Sequence, residues 1–284
     1  MTRINSTAES RFRVTHWPST PLPDVDTIRR PVRLTASGLL DWTPPDVLEP
    51  LPDEWALQTL HGKNLGSDDV VVDLLGSGVI SMPFFDRGSI PSDRWPFLAP
   101  PGDHPNVNRW WAERPDATVE DARWWLRTVR AMVGVWLISA QTPGPATPED
   151  VVEAWTNEGF LVHDEESAWQ QFTISLNEGL RPFRARAEHV MVFEGVEIAW
   201  GRPRTGLYSS ACRQIFNLLA NGDVPRWCEN ESCGLPFVKQ SGRSKSGQHR
   251  STGVRFCTSS CARAQTQREY RRRQKLKRNE GITP

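Results

Sequence analysis

Four of the chain's five cysteines fall within 34 residues, as C-x4-C-x23-C-x3-C through Cys228, Cys233, Cys257 and Cys261. Two close pairs separated by a couple of dozen residues is the pattern of a four-cysteine zinc site. Zinc takes four ligands in a tetrahedron, and two cysteines a few residues apart reach one ion from a tight turn. The second pair completes the tetrahedron and ties two distant parts of the chain together. Such a site has no open ligand position, so Zn2+ here is structural rather than catalytic. His249 lies nearby but reads as exposed or phosphate-contacting, because four thiolates already satisfy the ion.

The elements that must position these ligands follow from the flanking residues. Gly234 stands after Cys233, where a knuckle needs a positive φ. Leu235–Lys239 and Val254–Phe256 read as short strands that pair, and SGRSKSGQHRSTG between them has no core former. Cys261 opens a helix-compatible run, which places Cys257 and Cys261 near a helix N-terminus, where the dipole favours a thiolate. A knuckle, a hairpin and a helix bringing the last ligands describe a treble-clef-type finger.

The run after Cys261, Ala262–Arg278, is ARAQTQREYRRRQKLKR, with strong helix formers and neither glycine nor proline. Arg263, Arg268, Arg271, Arg272, Arg273, Lys275, Lys277 and Arg278 cover most of its faces. Tyr270 and Leu276 are its candidates for packing. A helix polar all round needs something else to hold it. The metal would hold one end, and phosphates would neutralise the rest, since arginine takes them bidentately. Gln265, Gln267 and Gln274 can reach adenine edges, although each can equally serve the backbone. Lys239, Arg243, Lys245, Arg250 and Arg255 add charge from the hairpin side.

Net charge is zero, but residues 225–284 hold 14 Lys+Arg against 4 Asp+Glu of the 34 and 34 in the whole chain. The remainder is an acidic body, and a basic tail on an acidic body points at a polyanion. MTRINSTAESRFRV has no apolar core, so no signal peptide is expected, and AMVGVWLISA is too short to span a bilayer. The expectation is a cytoplasmic protein with no membrane partner. There thiols stay reduced and clustered cysteines bind metal more often than they pair.

Further upstream, residues 1–115 hold 15 of the 23 prolines, so short strands and turns are expected, with one short helix around Glu54–His61. VVVDLL (70–75) reads as a buried strand. Thr118 and Asp121 resemble a capping box opening a helix over 118–140, with Ala122, Trp125, Leu126, Val129, Met132 and Val133 on one apolar face. Thr147-Pro148 starts a second helix, running to about Asn157 and stopping at Gly159. A third covers Glu165–Glu178. His189–Phe193 and Val196–Trp200 read as a hairpin, and a fourth helix covers Leu207–Ala220. Cys212, inside it, reads as a small buried apolar residue. The thirteen tryptophans read as core packing.

RWCENESCGLPFVKQSG (226–242) and GVRFCTSSCARAQTQREYRRR (253–273) resemble the CGNR zinc finger, a C-terminal treble-clef-like module of bacterial proteins. The shared features are the C-x4-C first pair, the aromatic at Phe237 and the step Phe256-Cys257-Thr258. Where that family has Cys-Gly-Asn-Arg, this chain has Cys261-Ala262-Arg263-Ala264, and its last pair is spaced x3 rather than x4. The resemblance implies zinc on the four cysteines, an ABATE-like domain ending at residues 189–220, and transcription regulation through DNA.

The reading is an α+β chain: a mainly helical body with a short hairpin, plus a C-terminal treble-clef-like zinc finger ending in a basic helix. Residues 1–115 form a Pro/Trp-rich part of the body, 116–224 the helical ABATE-like body with its hairpin, and 225–284 the four-cysteine finger. The expected function is zinc-dependent DNA binding by a transcription regulator, with DNA ahead of RNA as partner. The body would sense an effector or form a homo-oligomer. The alternative is an RNA-binding or protein-interaction zinc module without catalytic activity. No enzyme is expected: His16, His61, His104, His163 and His189 have no metal-ligand spacing, and no nucleophile motif is present.

Overall fold

A computed structural model describes residues 21–43, 47–52, 54–78, 118–140, 147–180, 183, 187–192, 195–200, 204–238 and 254–279. It is mixed helix and short strand, mainly helical, and divides into two compact units, Met1–Gly222 and Asp223–Pro284. Among the described residues, no helix is long and apolar enough to cross a membrane.

In the first unit the proline-spaced N-terminal segment gives four short strands, β1 (Asp26–Arg29), β2 (Val32–Leu34), β3 (Leu40–Trp42) and β4 (Val47–Glu49). A single π-helical turn, Trp55–Thr59, follows where a short helix is expected. Next comes α1 (Asp68–Leu75), which corrects the strand reading of residues 70–75. The three valines suggest a strand. Yet Asp68 and Asp69 occupy the first turn, where the helix dipole favours them, and Val71, Leu74 and Leu75 bury one helical face.

The helical part comprises α2 (Val119–Ala140), α3 (Pro148–Thr156), α4 (Glu165–Leu180) and α5 (Leu207–Ala220). Before α5 stand the antiparallel hairpin β5 (Ala187–Val192) and β6 (Gly195–Trp200), and the short β7 (Arg204–Thr205). Both expected caps are formed. The Asp121 amide donates to Thr118 Oγ1 at 3.1 Å and the Thr118 amide to Asp121 Oδ2 at 2.9 Å. Thr147 and Asp150 make the same reciprocal pair. Leu207–Ala220 forms with the expected bounds, whereas α4 runs through Gly179 to Leu180. Gly179 stays helical because a close neighbour fills its missing side chain: a Cβ there would stand 2.6 Å from Cys212 Cβ on α5.

Trp55, Trp124, Trp125, Trp136 and Trp155 are all buried, and edge-on contacts link Trp124 to Trp125 and Phe160, and Trp125 to Tyr208. Cys212 is fully buried, and that burial pushes its thiol pKa far up, as expected for an inert packing residue. Trp227, in the second unit, departs from the core reading at 46% exposed.

The N-terminal segment belongs to the same unit as the helices, and its polar ties explain why. β1 pairs antiparallel with β4 and parallel with β7, nearly 180 residues downstream in register Asp26↔Arg204. Thr27, Thr205 and Ser210 join hydroxyls at 2.7 and 2.9 Å in the interior. On α5, Gln214 donates to the Pro52 carbonyl and Asn217 to that of Leu22. Charged residues lie partly buried along α2. Arg130 makes a two-pronged contact with Glu158 at 2.5 and 2.6 Å, and the Glu158 side chain is only 11% exposed.

Candidate metal centre

The second unit is built around the cysteine pairs. β8 (Arg226–Trp227) and β9 (Pro236–Phe237) pair antiparallel, with Arg226 opposite Phe237. This differs from the expected pairing of 235–239 with 254–256. The turn between Cys228 and Cys233 folds the chain back onto the residues just before it, so the local partner wins. The Cys233 amide donates to the Asn230 carbonyl at 2.7 Å, and Cys228 N–H to Leu235 O at 2.9 Å. Gly234 has φ +60°, a left-handed conformation that glycine adopts without a steric penalty. Val254–Phe256 instead docks through one backbone bond, the Glu229 amide to Arg255 O at 2.9 Å, and through side-chain bonds from Arg226 to the Val254 carbonyl and from Arg255 to Glu229.

Cys257 follows that docking bond, and Cys261 sits in the first turn of α6 (Ser259–Asn279). Thr258 Oγ1 accepts from the Cys261 amide at 3.1 Å, capping the helix where the last ligand enters it. The four sulfurs lie within 4.8 Å of one another, close enough to hold a metal ion. Cys257 Sγ stands 3.6 Å from both Cys233 Sγ and Cys261 Sγ. A tetrahedron with metal–sulfur bonds of ~2.3 Å has edges of ~3.8 Å, so the donor set fits such an ion. All four are free thiols, too far apart to be disulfides.

The thiols are unequal. Burial raises Cys257, reinforced by the three neighbouring thiols, and burial also raises Cys233. Burial pushes Cys261 up as well, but hydrogen bonds from Thr258 and Asn230, with those to Cys257 and Cys233, outweigh it and bring Cys261 down to about 7. A divalent cation would supply the charge that lets all four ionise together.

Apolar packing is slight. Cys228, Phe237 and Cys257 are the buried cluster, with Cys233, Val254, Phe256 and Cys261 packed against it. Tyr270 and Leu276 do not join it, contrary to expectation: they are 61% and 58% exposed. What holds α6 instead is polar. Gln265, 7% exposed, donates to Glu231 Oε1 at 3.1 Å and accepts from the Glu231 amide at 3.4 Å. Arg268 donates to Asn230 Oδ1 and Ser232 Oγ. Arg272 forks onto both Glu231 oxygens at 2.7 and 2.5 Å, which lowers the Glu231 pKa, mainly through that hydrogen bond and secondarily through Gln265.

The eight basic residues expected to meet nucleic acid therefore divide. Arg268 and Arg272 bond back to the knuckle. Arg263 makes a 3.4 Å bond to the Ser259 carbonyl, and Arg273 lies 4.0 Å from Glu269, both on the exposed surface. Arg271, Lys275 and Lys277 are exposed and make no ion pair among the described residues. Arg278 ends the helix, and its side chain lies outside the described residues, as do Lys239, Arg243, Lys245, His249 and Arg250. Arg255 pairs with Glu229. The residues missed by sequence reading are Glu229, Asn230, Glu231 and Ser232. Their signal was present: two carboxylates inside the first cysteine pair, in a segment otherwise strongly basic. Comparison with family models, with curated proteins and with solved structures finds no match to this chain.

Proposed function

We propose that the chain is a zinc-dependent DNA-binding protein, a transcription regulator that docks α6 on DNA. Cys228, Cys233, Cys257 and Cys261 would hold Zn2+ in a closed, structural site of treble-clef type. Thiolate donors suit zinc among the common divalent ions, and four of them leave no position for a reacting ligand. The ion would supply cross-linking of the knuckle to the helix N-terminus and no bond-making chemistry. The resemblance of residues 226–242 and 253–273 to the CGNR zinc finger, read from the sequence, motivates this reading.

The observation that carries the proposal is the charge left on α6 after its internal bonds are made. Arg263, Arg271, Arg273, Lys275 and Lys277 keep exposed cationic heads on a helix rooted at the metal site. Five cations on one rod match a polyphosphate better than a protein surface, because the helix offers few apolar anchors. If each meets one phosphate, log K should fall with log salt at a slope of roughly −4 to −5. The test pairs metal analysis of the intact protein with duplex DNA binding across a salt series. One zinc per chain and a slope in that range support the proposal. Zinc without duplex affinity, or affinity insensitive to salt, defeats it.

A further inference from the structure

We infer that α6 reads base sequence in the major groove of duplex DNA through one stripe, Arg263–Gln267–Tyr270–Gln274–Lys277, while Arg268 and Arg272 are positioning residues that set which face is presented. This deepens the DNA-binding reading and rests on it.

Cys261, Gln265, Arg268 and Arg272 are spaced four, three and four residues apart, which places them on one face at ~100° per residue. That face is the one bound to the metal site and to Asn230, Glu231 and Ser232. Arg263, Gln267, Tyr270, Gln274 and Lys277 repeat the same spacing two residues out of step. Their mean direction lies ~190° around the helix from the first set. All five are exposed. The bonds that hold the helix thus leave this stripe facing directly away from the knuckle.

The chemistry of the stripe differs from that of a solvated face. Its centre is two glutamines flanking a tyrosine that is 61% exposed, and its ends are cationic. Glutamine can bond adenine bidentately through N6 and N7, and a tyrosine ring can lie against a thymine methyl. Gln267 to Gln274 spans ~10 Å, about three base-pair steps, and Arg263 to Lys277 spans ~21 Å. The major groove is ~12 Å wide, so with the glutamines in it both cationic ends overhang the phosphate walls. A-form RNA is disfavoured as the duplex, because its major groove is too deep and narrow for a helix.

Arg268 and Arg272 already donate to knuckle acceptors, so they add little to phosphate contact. The pattern makes opposite predictions for two groups of arginines that sequence alone treats as one.

The test uses the full-length zinc-loaded protein, a duplex recovered by selection from a random pool, and a scrambled duplex of equal composition. Gln267→Ala and Gln274→Ala should each lower the preference for the selected duplex about 10-fold, with the salt slope unchanged. Arg263→Gln and Lys277→Gln should each flatten the slope by about one while leaving the preference in place. Arg272→Glu should weaken binding, and Arg272→Glu with Glu231→Arg should restore it at the wild-type slope, because the clamp is rebuilt with its charges exchanged. A phosphate-contacting Arg272 would not be rescued by that exchange. Wild-type binding to DNA with unchanged selectivity in both glutamine variants overturns the stripe while leaving DNA binding standing. Absence of any duplex DNA binding, or tighter binding to duplex RNA, overturns both.

Discussion

Replacing Cys257 by serine should unfold the second unit and leave the first intact. Cys257 is the best-connected ligand: its sulfur lies 3.6 Å from those of Cys233 and Cys261, and its amide donates to Cys228 Sγ at 3.5 Å. The magnitude follows from how little else holds this unit. Phe237 is its one fully buried aromatic among the described residues, and burying such a side chain contributes about 3 kcal/mol. A four-thiolate zinc site contributes ~10–16 kcal/mol to folding at neutral pH. A zinc ion held there would therefore be several-fold the larger of the two, and the ring would not replace it. The assay is hydrogen exchange at two amides that close the knuckle, Cys228 to Leu235 O and Glu229 to Arg255 O, with metal content measured on the same sample. Zinc should be absent from Cys257→Ser, and protection at both amides should fall by several orders of magnitude, since ~1.4 kcal/mol is tenfold. Cys212→Ser is the control, because Cys212 lies in the first unit and should leave both readouts of the second unchanged. Retained protection at Cys228 and Glu229 in metal-free protein would refute the reasoning, since Phe237 and the polar clamp would then suffice alone.

Three further outcomes are expected. Gly234→Ala should weaken zinc binding about five-fold, because φ +60° costs an L-residue ~1 kcal/mol while nothing lies within 4 Å of the added methyl; competition with a chromogenic chelator measures it. Gly179→Ala should lower the melting temperature of the first unit by several degrees. Overpacking against Cys212 and Tyr208 costs ~1–3 kcal/mol and exceeds the helix-propensity gain of just under ~1 kcal/mol, so a rise in calorimetry would contradict the packing. Glu158→Gln should destabilise the same unit by ~2 kcal/mol in urea unfolding, because it leaves Arg130 partly buried beside Arg127 without its carboxylate; a change under ~0.5 kcal/mol would place the pair among ordinary surface bridges.

What the sequence made legible was whatever local chemistry decides. Thr118/Asp121 and Thr147/Asp150 announce helices because a cap bonds within three residues of itself. Leu207–Ala220 has its bounds set by Gly206 before it and Asn221-Gly222 after it. The cysteine spacing forecast a four-sulfur cluster because few other arrangements satisfy such pairs. Much of what stayed hidden depended on distant partners. VVVDLL is helical because Val71, Leu74 and Leu75 find a core on one side, which three consecutive valines do not reveal. The parallel pairing of β1 with β7 joins residues nearly a whole unit apart, and nothing in either segment names the other. The division of the arginines was hidden for a related reason. Charge count shows how many there are, while only helical phase against the knuckle shows which ones are engaged.

That phase separates two roles that the zinc site alone would confound. A metal on the four cysteines would fix where α6 begins, since Cys261 is in its first turn, but a tether at one end still allows the far turns to fray. The clamp through Glu231 acts about three turns further on. Its members are largely exposed, Arg272 at 61% and Glu231 at 45%, and water screens such exposed pairs so that they add little to stability. So weak a pair cannot fold the helix. It can bias the helix's direction and rotation relative to the knuckle once the metal has formed the unit, because Arg272 and Gln265 share one carboxylate and Arg268 bonds the two residues flanking it. Losing the metal should therefore abolish structure and binding together. Losing the clamp should keep the zinc and most of the helix while degrading discrimination between DNA sequences, and that difference follows from the separation of energy and orientation in this small unit.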